Sequence, residues 1–108
     1  MELNNDLNIV RIRELCEAGA LRWTNHILAR ILQRGISTED VSHALIHGQI
    51  IESYPNDYPY PSHLVLGISY QCIYLHVVCG IGDSDLWLIT AYYPNPTEWE
   101  SDLKTRKE

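Results

Sequence analysis

At 108 residues the chain has room for one domain, and its 45% hydrophobic share is that of an ordinary globular protein. It has no apolar run long enough to cross a bilayer, and MELNNDLNIVRIRE lacks the charged-then-apolar order of a signal peptide, so a cytoplasmic protein without a membrane partner is expected. The net charge of −6 argues against nucleic acid as a partner, and three cysteines with no CxxC point to free thiols in a reducing compartment rather than a disulfide or a zinc site.

The charge is unevenly spread. Up to Arg34 there are five arginines against four acids; beyond it, only Lys104, Arg106 and Lys107 stand against ten acids. Residues 35–103 contain no Lys or Arg, so an anion site on the body of the fold is expected to draw its cations from the N-terminal helices.

The first element is a helix over 6–18, from the spacing of Ile9, Ile12, Leu15 and Cys16 and the stop at Gly19. Thr24 can cap a second helix, 25–34, closed by Gly35, with Ile27, Leu28, Ile31 and Leu32 as its buried stripe. His26, Arg30 and Arg34 recur at every fourth place. At about 100° per residue they line one border of that stripe, where long side chains can reach around a sheet edge. Ser37 can cap a third helix, 38–47, with Val41, Ala44 and Leu45 inward and Gly48 at its end.

The apolar period then changes from helical to alternating. QIIESY (49–54), HLVLGISY (63–70), CIYLHVVC (72–79) and LWLITAYY (86–93) read as strands, separated by a proline loop (56–62) and the turn GIGDSD. Cys72 and Cys79 then lie in one strand on opposite faces. Thr97 can cap a short C-terminal helix at about 97–104. The expected fold is α+β: one domain, 1–108, with helices over 6–47 packed on one face of a four-stranded antiparallel sheet over 49–93.

Alternation sets Ile73, Leu75, Val77 and Cys79 against Cys72, Tyr74, His76 and Val78. In the last strand it sets Trp87, Ile89, Ala91 and Tyr93 against Leu86, Leu88, Thr90 and Tyr92. With the more apolar sets under the helices, His76 sits beside Tyr74, Thr90 and Tyr92 on the open face, and Glu52 shares a face with Tyr54. A solvated sheet with aromatic cross-strand pairs accounts for the same pattern. His43 and His47 are spaced i, i+4 but have no third ligand nearby, and no phosphate-binding glycine loop exists, so neither metal nor cofactor is expected.

Thr24-Asn25-His26, then Arg30, then Arg34-Gly35-Ile36, followed by Leu75-His76-Val77-Val78 and Ile89-Thr90-Ala91-Tyr92, resembles the domain of unknown function 4258 family over roughly residues 20–97. That family looks related to the RelE-like and BrnT-like toxins, small bacterial α+β ribonucleases held by a cognate antitoxin protein. The resemblance implies metal-independent cleavage of RNA, which needs a base, an acid and positive charge near the phosphorus. His76 or Glu52 would take the proton, His26 or Tyr92 would protonate the leaving oxygen, and Arg30 and Arg34 would hold the phosphate, with Thr90 and Tyr54 in the substrate-binding set. The rival reading is a non-enzymatic protein-binding module of the same fold, which the acid excess favours.

Overall fold

The computed structural model describes residues 2–108, with side chains from Leu7 onward. Its elements run α1 (Glu2–Glu17), β1 (Leu21–Trp23), α2 (Asn25–Arg34), α3 (Thr38–Ile46), β2 (Gln49–Tyr54), β3 (Ser62–Ile68), β4 (Tyr74–Ile81) and β5 (Leu86–Tyr92). The class is α+β, as the change of period implies.

The caps behave as their chemistry dictates. Thr24 Oγ1 accepts from the Ile27 N–H at 3.1 Å, and Ser37 Oγ accepts from the Asp40 N–H at 3.0 Å. Gly35 closes α2 in the left-handed conformation, φ 71°, its N–H reaching back to carbonyls in the last turn. Ile27 and Ile31 are buried, but Leu28 and Leu32 are 39% and 80% exposed, so the buried stripe of α2 is narrower than the apolar spacing predicts.

The sheet has five strands in the order β1-β5-β4-β3-β2, not four, and it is mixed: β1 runs parallel to β5. A three-residue strand, Leu-Arg-Trp, is too short to show a period, and only its pairing with β5 reveals it. The remaining pairs are antiparallel, as expected. α3 packs on β3 and β4, α2 on β5, and α1 on α3. Gly67 and Gly48 allow α3 its close approach, since a Cβ on Gly67 would lie 2.1 Å from the Ala44 carbonyl oxygen. The core between helices and sheet is built from Ile12, Leu15, Ile27, Ile31, Val41, Leu45, Val65, Leu75, Val77, Cys79, Leu86 and Leu88.

Two bulges decide which residues share a face. In β5, Val78 pairs with Thr90 but Cys79 with Leu88, leaving Ile89 as the extra residue. Strict alternation puts Leu86 and Leu88 with Thr90 and Tyr92; the bulge instead sends Leu86, Leu88 and Ala91 into the core and Trp87, Thr90 and Tyr92 to the second face. In β2 the same device lets Ile50 pack on the core while Glu52 lies opposite Leu64.

Two further expectations change. Cys72 is not a strand residue; it is exposed in the turn between β3 and β4, at φ 64°. Cys16 and Cys79 are buried, and burial pushes the Cys79 thiol up to about 12. No helix forms at 97–104. Residues 94–108 instead make a looped segment closed by Glu100 N–H to Thr105 O and Lys107 N–H to Glu98 O, with Asp102 holding the turn. Burial of Trp99, 2% exposed, overrides the local helical preference. Among the described residues no helix is long and apolar enough to cross a membrane.

Candidate functional site

His76 on β4 pairs directly with Tyr92 on β5 and with Leu66 on β3, so imidazole and phenol share the second face as the alternation predicts. That face is not open at His76, whose side chain is fully buried. The C-terminal segment covers it: the Leu103 carbonyl oxygen lies 2.7 Å from Nε2, and Trp99 stands edge-on to the ring at 4.6 Å between centroids. A carbonyl can only accept, so Nε2 carries the proton and Nδ1 is left as the acceptor. The Tyr92 hydroxyl lies 3.4 Å from that Nδ1, a long contact in which the phenol donates. Burial pulls the His76 pKa below its ordinary value; the Leu103 carbonyl opposes the shift without reversing it, so the ring is neutral near pH 7.

The bulge in β2 aims Glu52 at the same face, two residues from Tyr54, whose hydroxyl donates to it at 2.6 Å. Arg106 grips Glu52 with two hydrogen bonds, Nε at 2.8 Å and Nη2 at 3.0 Å, and lies over the Trp99 ring at 4.5 Å. The Arg106 hydrogen bond holds the Glu52 carboxyl below its usual range. Burial, reinforced by the neighbouring carboxylate, pushes Tyr54 up to about 12. Burial also raises Tyr92, on which the charges of Arg106, Glu52, Glu98 and Arg34 all act.

Of the predicted cations, Arg34 reaches the sheet: its Nη1 donates to the Ala91 carbonyl at 2.8 Å and lies 3.5 Å from Thr90 Oγ1. His26 and Arg30 are exposed, and among the described residues no hydrogen bond or ion pair joins either to the sheet. The helix rises about 1.5 Å per residue, which leaves His26 about 12 Å back along the axis from Arg34. Glu52, Tyr54, His76, Tyr92, Thr90 and Arg34 therefore gather on or beside one face, and His26 and Arg30 do not join them. Sequence reasoning missed Arg106 and Trp99, because the expected helix hid how far the C-terminal segment folds back. Their signal was present: an Arg and a Trp in the only later stretch that carries cations.

His43 Nδ1 donates to the Ile68 carbonyl at 2.7 Å and its ring stacks against His47 and Tyr70, while His63 is tied to Ser53. Among the described residues no group of three His, Cys, Asp or Glu could hold a metal ion.

Residues 23–93 match the family described as Domain of unknown function (DUF4258). The chain belongs to this family. No curated protein and no solved structure matches it. The DUF4258 segment contains Arg34, Glu52, Tyr54, His76, Thr90 and Tyr92, whereas Trp99, Leu103 and Arg106, which cover and charge the cluster, lie beyond it. The DUF4258 match covers these positions and names no activity.

Proposed function

We propose that this chain is a small toxin-like endoribonuclease that cleaves RNA by acid–base chemistry without a metal, its activity held in check by a cognate antitoxin protein. The observation that carries the reading is the connected cluster Tyr54–Glu52–Arg106–Trp99–His76–Tyr92, which puts guanidinium, carboxylate, imidazole and two phenols on one face with Arg34 at its border. Arg106 supplies the cation that residues 35–103 lack.

In this reading the 2′-hydroxyl gives its proton to the Tyr92 oxygen as Tyr92 passes its own proton to the His76 Nδ1 lone pair. The freed oxygen attacks phosphorus, the bond to the 5′-oxygen breaks, and a cyclic 2′,3′-phosphate remains. Tyr54, kept protonated by its raised pKa, gives its proton to the departing oxygen, and Glu52 orients it. Arg106 and Arg34 offset the charge on the phosphorane. His76, buried, holds that proton and acts only through Tyr92, without touching the substrate.

The second reading is a non-enzymatic binding protein. It is favoured by the net charge of −6, by the burial of His76, and by β2 standing at the end of the strand order, where a partner strand can add.

Inducible expression of the wild-type chain and of His76→Ala, scored for growth and RNA integrity, separates the two. The nuclease reading expects growth arrest and RNA loss only for the wild type, with Arg34→Ala lowering cleavage by about 10²-fold and Arg30→Ala changing it little. If the wild-type protein cuts no RNA, free or on ribosomes, between about pH 6 and 9, the binding reading stands.

A further inference from the structure

Along the second face, one row of the sheet runs Tyr54, Ser62, Gly80, Trp87 and Arg22, each paired with the next on the neighbouring strand. Gly80 has no side chain to fill the middle of that row. A Cβ built there would touch Pro61, Ile89 and Tyr60 at 3.5–3.8 Å, so a bare backbone at Gly80 leaves the floor of the row without a side chain of its own. Over it folds the proline loop, and the result is a cleft of about 310 Å³ lined by Asp57, Tyr58, Tyr60, Trp87 and Ile89. Tyr60 and Trp87 stand 6.2 Å apart between centroids, Tyr58 is 94% exposed at the rim, and Ile89, the extra residue of the bulge, is 41% exposed. Arg22 lies over the Trp87 ring at 5.3 Å and is anchored to Asp85 at 2.7 Å.

We propose that this cleft holds one unstacked base of single-stranded RNA. The inference rests on the nuclease reading and names the part of the substrate that the cluster does not touch. The lining has two properties that a base satisfies together. Its aromatic walls offer faces for a flat ring, which any base can use. Its one charged group, Asp57, whose Oδ2 accepts from Ser62, is an acceptor, so it suits a ring edge that carries N–H donors, as the amino group of cytosine does. The floor at Gly80 is two residues along β4 from Val78, which faces Thr90, the residue Arg34 approaches. Two strand residues span about 6.6 Å, a short step from a base to the adjoining phosphate. Arg22, Arg34 and Arg106 bring three of the eight Lys and Arg residues to this face of an otherwise acidic chain.

The test is a titration of the full chain, followed by fluorescence anisotropy, with short labelled RNA oligomers whose 2′-hydroxyls are methylated and so cannot be cut. Tyr58→Ala removes an exposed ring, and Gly80→Leu pushes bulk from the floor toward Pro61, Tyr60 and Ile89; circular dichroism checks that both fold. Each is expected to weaken binding about tenfold or more. Asp57→Asn, which converts a pure acceptor into a donor and acceptor, is expected to change the rank order among the four homopolymers. Unaltered affinity in both Tyr58→Ala and Gly80→Leu overturns the proposal, as does a wild-type chain that binds no oligomer at low salt or binds an aromatic peptide there instead. Cleavage of unmodified RNA is scored separately. Cleft-dependent binding without cleavage removes the nuclease reading and keeps the cleft; cleavage that survives Gly80→Leu unchanged removes the cleft and keeps the nuclease reading.

Discussion

His76 shows how one residue's surroundings set its chemistry. A histidine in water titrates near 6.5; here burial lowers that value, and the carbonyl of Leu103 fixes which nitrogen keeps the proton. The sign of the consequence follows. A base whose folded pKa is depressed binds fewer protons folded than unfolded, so its contribution to stability is complete above about pH 6.5 and is lost as pH falls toward the folded value. His63, also buried and lowered for the same reason, adds in the same direction. Thermal unfolding followed from about pH 7.5 to pH 5 is therefore expected to show a falling midpoint, and His76→Gln is expected to flatten that fall. Equal slopes in the two proteins would mean that His76 does not carry the effect. His76 and Tyr92 were legible as face partners from alternation alone, because neither bulge lies between them. The burial of His76 was not legible, because the group that covers it comes from 27 residues away.

At the scale of elements, the C-terminal segment is the least expected and the most consequential. Residues 97–104 have a capping threonine and helix-tolerant residues, the local signature of a short helix. In the protein, burying the Trp99 indole and pairing Arg106 with Glu52 outweigh a short helix, which is marginal alone. Trp99→Ala is expected to cost about 3 kcal/mol in chemical denaturation and to return the His76 titration toward 6.5 in a proton NMR titration. A stable variant with an unchanged His76 titration would show that the segment does not seal the ring. The helices were legible almost to the residue, since the Thr24 and Ser37 caps and the αL glycine that closes α2 act within a few positions of the chain. α1 is the exception, beginning at Glu2 rather than residue 6.

At the scale of the whole molecule, charge is the organising fact. A chain of −6 has to concentrate its few cations if it is to meet RNA, and Arg22, Arg34 and Arg106 come from β1, α2 and the C-terminal segment to border one face. Three phosphate contacts on a single strand predict a slope of roughly −2 in a plot of log affinity against log salt concentration. A slope near zero for the uncleavable oligomers would remove these arginines from the interface. The same acidity leaves a basic segment as the natural complement for a protein partner.

The α+β class, three helices, the Thr24 and Ser37 caps, four of the strands, the shared face of His76 and Tyr92, and that of Glu52 and Tyr54 are all readable from the chain alone. These follow from periodicity and from bonds between residues close in the chain. The parallel fifth strand, the bulges at Ile51 and Ile89, the cover over His76, the arrival of Arg106 and the separation of His26 and Arg30 from the cluster were decided only by the tertiary structure. Each depends on contacts between distant segments, where burial of a few large side chains outweighs the small local preferences that a sequence displays.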